Sequence, residues 1–234
     1  MQLSVNGVDT FVATGGKDFD ASQPTIVLLH GAGFDHTAWA LHSRWFAHHG
    51  HNVLAPDLPG HGRSSGAPLS TIAEMADWTA ALLDAAGAAK ARLTGHSMGS
   101  LIALETAARH PEKVSALHLV GTAATMTVGP DLLKAAGAND HSAIDMVSIW
   151  GLGASAELGG SLAPGLWMHS GAQRVLEQNR PGVLFSDLSA CNSYQDALSA
   201  AALPNARTVV LRGAGHMMMV ERPDELLAAL QGYP

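Results

Sequence analysis

One stretch limits the folds open to this chain more than any other. Ala91-Arg92-Leu93-Thr94 reads as a short half-apolar strand, and Ser100 to Ala108 as an Ala/Leu-rich helix. Between them stands Gly95-His96-Ser97-Met98-Gly99. A G-x-S-x-G turn joining a strand to a helix puts a serine on strained backbone and projects its hydroxyl above a sheet. The glycines two positions to either side let the flanking backbone pass closely without Cβ clashes. The helix that starts there turns its free N–H groups toward the same point, which suits a developing negative charge. Ser97 is therefore the candidate nucleophile. The plainer alternative is a serine that only shapes a turn, and a partner histidine downstream tells the two apart.

The rest of the chain supplies the strands and helices that such a turn needs. Gln2 to Thr14 alternates around Asn6-Gly7 and reads as an edge hairpin. Thr25 to His30 is a continuous apolar run, the pattern of a strand buried on both faces of a parallel sheet. Asn52-Val53-Leu54-Ala55 and Val114 to Val120 are further strands, and helical periodicity follows Thr37 and Ser70. Alternating strand and helix means βαβ units with right-handed crossovers. With 234 residues, 47% hydrophobic and 14% charged, the chain suits one large α/β core. A formal charge of −7 without a basic stripe excludes a nucleic-acid surface. No apolar run reaches spanning length, so no membrane partner is expected. The sole cysteine, Cys191, reads as a buried thiol rather than a nucleophile. With no signal-like N-terminus, it leads to a cytoplasmic expectation.

Several local features are weighed against chemistry. Gly31-Ala32-Gly33-Phe34-Asp35-His36 follows a buried strand, but His36 stands where a dinucleotide fingerprint needs glycine. The better reading is an oxyanion loop, with the N–H of Ala32 partnering that of Met98. His42, His48, His49 and His51 lack metal-ligand spacing, and no metal or organic cofactor is expected. Asp57 and His61 read as residues that hold their own loop through local hydrogen bonds. Residues 125–185 lose the strand alternation and read as a helical cap inserted into a core of residues 1–124 and 186–234. Trp150 and Trp167 supply its apolar underside. Phe34 either lines the pocket mouth or packs beneath it, and Met217 makes a soft wall beside His216. These four are the expected substrate pocket. Arg207 to Arg212 is expected to be the last strand, and His216 follows it in a glycine-flanked loop as the candidate base.

Taken together, His30-Gly31-Ala32, Pro56 to Ser64, Gly95 to Gly99 and Gly213-Ala214-Gly215-His216 resemble the α/β-hydrolase superfamily, in its single-domain serine esterase and haloperoxidase-like branch. The resemblance implies an α/β-hydrolase fold with helices on both faces of a mostly parallel sheet. It also implies hydrolysis of small apolar carboxylic esters through Ser97 and His216.

One part of that pattern is missing. The family's order is Ser, then an acid, then His, with the acid after an additional strand. A strand–loop–helix unit needs about 25 residues. Here Gln195 to Ala202 reads as helix, and Leu203-Pro204-Asn205-Ala206 leads straight into the expected last strand. The turn Gly121 to Thr125 holds no carboxylate, and Asp187 is the least implausible substitute. The sheet is therefore expected to be one strand short and turnover weakened, since replacing the acid in a serine protease costs on the order of 10⁴. The alternative is a non-catalytic small-molecule-binding module on the same fold.

Overall fold

The computed structural model describes every residue except 158, 159, 161, 163, 164, 201–205, 233 and 234. The hairpin forms as β1 (Gln2–Val5) and β2 (Val8–Ala13). Asn6 and Gly7 both take positive φ at its tip, the geometry a two-residue turn requires. Then come β3 (Thr25–Leu29), α1 (Ala40–Ala47), β4 (Asn52–Pro56), α2 (Ile72–Ala85), β5 (Ala91–His96), α3 (Met98–Arg109) and β6 (Val114–Val120). Among the described residues they make one six-stranded sheet in the order β1-β2-β4-β3-β5-β6. The pairs β3–β4, β3–β5 and β5–β6 are parallel, and only the hairpin side is antiparallel. This is the α/β-hydrolase arrangement that the sequence predicts.

Alternation along the strands divides the core. Val27 and Leu29 of β3, with Leu54 and Leu93, pack against α2 and α3. Ile26 and Leu28, with Val53 and Ala55, pack against α1 and the C-terminal helices. A strand buried on both faces needs a near-continuous apolar run, and β3 supplies one from Ile26 to Leu29. The helix ends follow local rules. Thr71 caps α2 with a reciprocal capping box to Glu74.

After β6 the described chain is helical: α4 (Pro130–Gly137), α5 (Ser142–Trp150), α6 (Ala154–Glu157), α7 (Met168–Glu177), α8 (Val183–Ser193), α9 (Ala197–Ala200), α10 (Met218–Glu221) and α11 (Pro223–Gln231). Leu203, Pro204 and Asn205 lie outside the described residues. The expected last strand is corrected here. Arg207–Arg212 forms no strand, and Val210 is 73% exposed. The reason is positional. Between these residues and β6 lies a cavity of about 830 Å³, walled by Val114 to Val120 on one side, by Arg207, Val209 and Leu211 on another, and by α11. A strand's hydrogen bonds need a neighbour about 4.8 Å away. The segment has the composition of a strand without that neighbour.

Among the described residues no helix is long and apolar enough to cross a membrane.

Candidate active site

β5 ends at His96, and Ser97 follows in a conformation ordinary residues avoid, with φ 53° and ψ −120°. The strain persists because the surroundings fix it. Ser97 N donates to Val120 O at the end of β6 (2.9 Å), and Ser100 Oγ donates to Ser97 O (2.6 Å). The two motif glycines are required by contact. A Cβ on Gly95 would lie 1.9 Å from Gly99 O, and one on Gly99 would lie 2.4 Å from Leu29 O. Met98 is the first residue of α3, so its N–H belongs to the unpaired first turn.

The loop after β3 comes up against this turn. A Cβ on Gly31 would sit 3.3 Å from Ser97 Cβ and 3.0 Å from His96 Nδ1. His30 is fully buried. Leu58 N donates to its Nε2, so its Nδ1 carries the proton and donates to Gly31 O (2.9 Å). Burial lowers its pKa to about 4, and the ring is neutral.

Asp187 holds the far side of this loop. It lies on α8, fully buried, and its Oδ2 accepts both Gly33 N–H (2.8 Å) and His61 Nε2 (2.7 Å). The other nitrogen of His61 faces Pro59 O at 3.1 Å. Both partners of the ring only accept, so both nitrogens carry protons and His61 is an imidazolium. Burial opposes that charge, but the charge and hydrogen bond of Asp187 outweigh it and raise the His61 pKa. Asp187 is thus committed to His61 and the loop, not to His216. Asp57 holds the same region from the other side. It receives His36 N, His36 Nδ1 (2.7 Å) and Arg63 N. Asp35, His36 and Asp57 bring ligand atoms within 4.8 Å of one another. These bonds already occupy Asp57, and Asp35 caps Thr37.

His216 faces Ser97 across a cavity of about 440 Å³, which both line together with Ala32. That volume suits a small organic molecule. The His216 ring rests on the backbone of Gly121, where a Cβ would lie 3.1 Å from Cε1 and 3.3 Å from Nδ1. His96 Nε2 donates to His216 O (2.8 Å), joining the elbow to the histidine loop. Burial lowers the His216 pKa, against which Glu221 acts, so the ring is neutral near pH 7. Among the described residues no carboxylate is hydrogen-bonded to His216.

The four expected pocket residues lie elsewhere. Phe34 and Met217 are buried in the hydrophobic core, while Trp150 and Trp167 are 66% and 74% exposed. Met126, Val128, Leu188 and Cys191 wall the cavity instead. Burial pushes the Cys191 thiol up to about 12, which leaves it unreactive. Sequence reasoning missed Glu221, whose only local signal is an acid before Arg222-Pro223 at the start of a helix.

A family model described as alpha/beta hydrolase fold matches residues 24–161. The chain is 39% identical over 99 residues to the dihydrolipoyllysine-residue acetyltransferase component of the acetoin cleaving system of Pseudomonas putida, covering 42% of this chain and 26% of that protein. It is 38% identical over 121 residues to the pimeloyl-[acyl-carrier protein] methyl ester esterase of Chromobacterium violaceum, covering 49% and 41%. The matched part thus spans well under half the length of these curated relatives. The enol-lactonase of Burkholderia xenovorans superposes with a TM-score of 0.84 at 23% identity, over 99% of this chain and 98% of that one. This likeness is one of fold.

Proposed function

The chain belongs to the alpha/beta hydrolase fold family, and on that premise we propose that it is a serine-nucleophile hydrolase of small carboxylic esters. One observation carries the reading: Ser97 sits at positive φ at the start of α3, and its cavity is shared with a neutral His216. Backbone strain of this kind clusters at functional sites.

In the proposed reaction Ser97 Oγ attacks the ester carbonyl while His216 takes its proton. The alcohol leaves with that proton, and a water attacks the acyl-enzyme with His216 again as base. The N–H groups of Ala32 and Met98 hold the oxyanion. Neighbouring donors are already engaged, Gly33 by Asp187 and Ser97 by Val120. The acyl group lies against Met126, Val128 and Leu188. No acid orients His216 through a hydrogen bond among the described residues, so turnover is slow, on the scale of the ~10⁴ loss known for acid-less triads. The described helices α4 to α7 within residues 125–185 serve as the cap. The same feature favours a second reading, a binding module in which Ser97 is a relic.

Hydrolysis of p-nitrophenyl acetate and butyrate, with fluorophosphonate labelling, separates the two. Labelling and turnover that vanish in Ser97→Ala support the enzyme. Equal inertness of the wild type and Ser97→Ala sinks it and leaves the binding module.

A further inference from the structure

Glu221 is a carboxylate that the reaction above does not use, yet it is 4% exposed and fully engaged. Its Oε2 accepts Gly153 N–H (2.9 Å) and Gly215 N–H (3.0 Å), and its Oε1 accepts Met217 N–H (3.2 Å). Gly215 and Met217 flank His216 on both sides. Gly153 belongs to the turn after α5, and Met217 N also donates to Gly151 O in that turn (3.0 Å). The two backbones meet so closely that a Cβ on Gly215 would lie 2.3 Å from Gly153 N.

We infer that Glu221 is the positioning residue of the base: its carboxylate clamps the loop bearing His216 to the turn at Gly151–Gly153 and places beside His216 the negative charge that a triad acid supplies elsewhere.

Three converging N–H donors call for an anion. A carboxylate offers acceptor oxygens on both sides, whereas an amide would turn an NH₂ group toward one of the donors. The charge also has a chemical use, because an imidazolium forms on His216 when Ser97 gives up its proton. Among the described residues, two titratable groups face His216. His96 is held neutral by burial, with a pKa of about 3, and Glu221 is the only one of the two that favours the imidazolium. This role rests on the proposed Ser97–His216 chemistry, but the clamp itself does not.

The test uses the full chain with Glu221→Gln and Glu221→Asp. For Glu221→Gln, the His216 Cε1 proton resonance should titrate at lower pH than in wild type. The acid limb of kcat/KM for p-nitrophenyl acetate should move with it. kcat should fall by up to about 100-fold, the scale for misplacing a reacting group by about 1 Å, with KM changed less than threefold. Glu221→Asp, which keeps the charge, should keep the wild-type acid limb. An unchanged His216 titration in folded Glu221→Gln overturns the inference. If that variant does not fold, amide exchange in the wild type decides: Gly153, Gly215 and Met217 must be protected together, and free exchange at all three overturns the clamp. A wild type that neither turns over nor labels refutes the proposed function, while the titration and exchange still report on Glu221.

Discussion

Replacing Asp187 by asparagine separates structural from catalytic duty for this carboxylate. In the wild type one oxygen, Oδ2, receives both Gly33 N–H and His61 Nε2–H. An amide oxygen at that place keeps both bonds only while His61 stays charged, and a fully buried imidazolium then lacks its counter-ion. If His61 becomes neutral with its remaining proton on Nδ1, donated to Pro59 O, Nε2 turns acceptor. The amide nitrogen must then face it, and Gly33 N–H loses its partner. Removing one member of a buried ion pair costs about 3–5 kcal/mol, and a retained neutral hydrogen bond returns about 1 kcal/mol. Asp187→Asn should therefore lose about 2–4 kcal/mol at pH 6. The pH dependence has a defined sign. The folded pKa of His61 lies above its ordinary value near 6.5. The pair's contribution is thus complete below pH 6.5 and is lost as pH rises through the folded value. Guanidinium unfolding of both proteins at pH 6, 7.5 and 9, followed by tryptophan fluorescence with constant m, measures the difference. A loss below 1 kcal/mol at pH 6, or one that grows with pH, refutes this account. A stable variant with collapsed turnover would return Asp187 to the role of a relocated acid.

The other two predictions concern the whole fold. Gly99→Ala puts a Cβ 2.4 Å from Leu29 O and 2.7 Å from His30 O, both rigid backbone, and should cost about 3 kcal/mol, the upper end of the overpacking range, in urea unfolding; a loss under 1 kcal/mol would show that β3 yields. Burial holds His30, His42 and His96 at about 4, 4 and 3, so the unfolded chain binds more protons between those values and 6.5. Stability should fall below pH 6.5 by up to about 4 kcal/mol per pH unit, and a denaturation midpoint that stays flat from pH 7 to 5 would contradict it.

The readable part of this molecule is the part governed by short-range rules. Asn6-Gly7, the apolar run of β3 and the strand–turn–helix around Ser97 each state their geometry within about ten residues, and all three form as the sequence predicts. Ala32, in the loop after β3, and His216 line one cavity with Ser97, as their places in the chain order predict. What could not be read depends on distance in the chain. Asp187 meets His61 across 126 positions and Gly33 across 154, so its commitment has no local signature. Arg207–Arg212 has the composition of a strand, yet pairing requires a neighbour that composition does not report. Trp150 and Trp167 look like pocket walls because large aromatics are usually buried, and here they face outward. Glu221 resembles an ordinary acid in the first turn of a helix, and only the backbone folded around it shows what it holds.

The place where the sheet stops has a meaning for how such a chain can change over generations. Ser97 and the loop of Ala32 hang from β5 and β3, which lie side by side within the sheet, while β6 forms its border. Loss or gain of material beyond β6 alters the periphery and leaves the spacing of β3 and β5 untouched. Ancestry can therefore add or delete whole segments at this border, and so retune the support of the histidine, without rebuilding the turn that presents the serine.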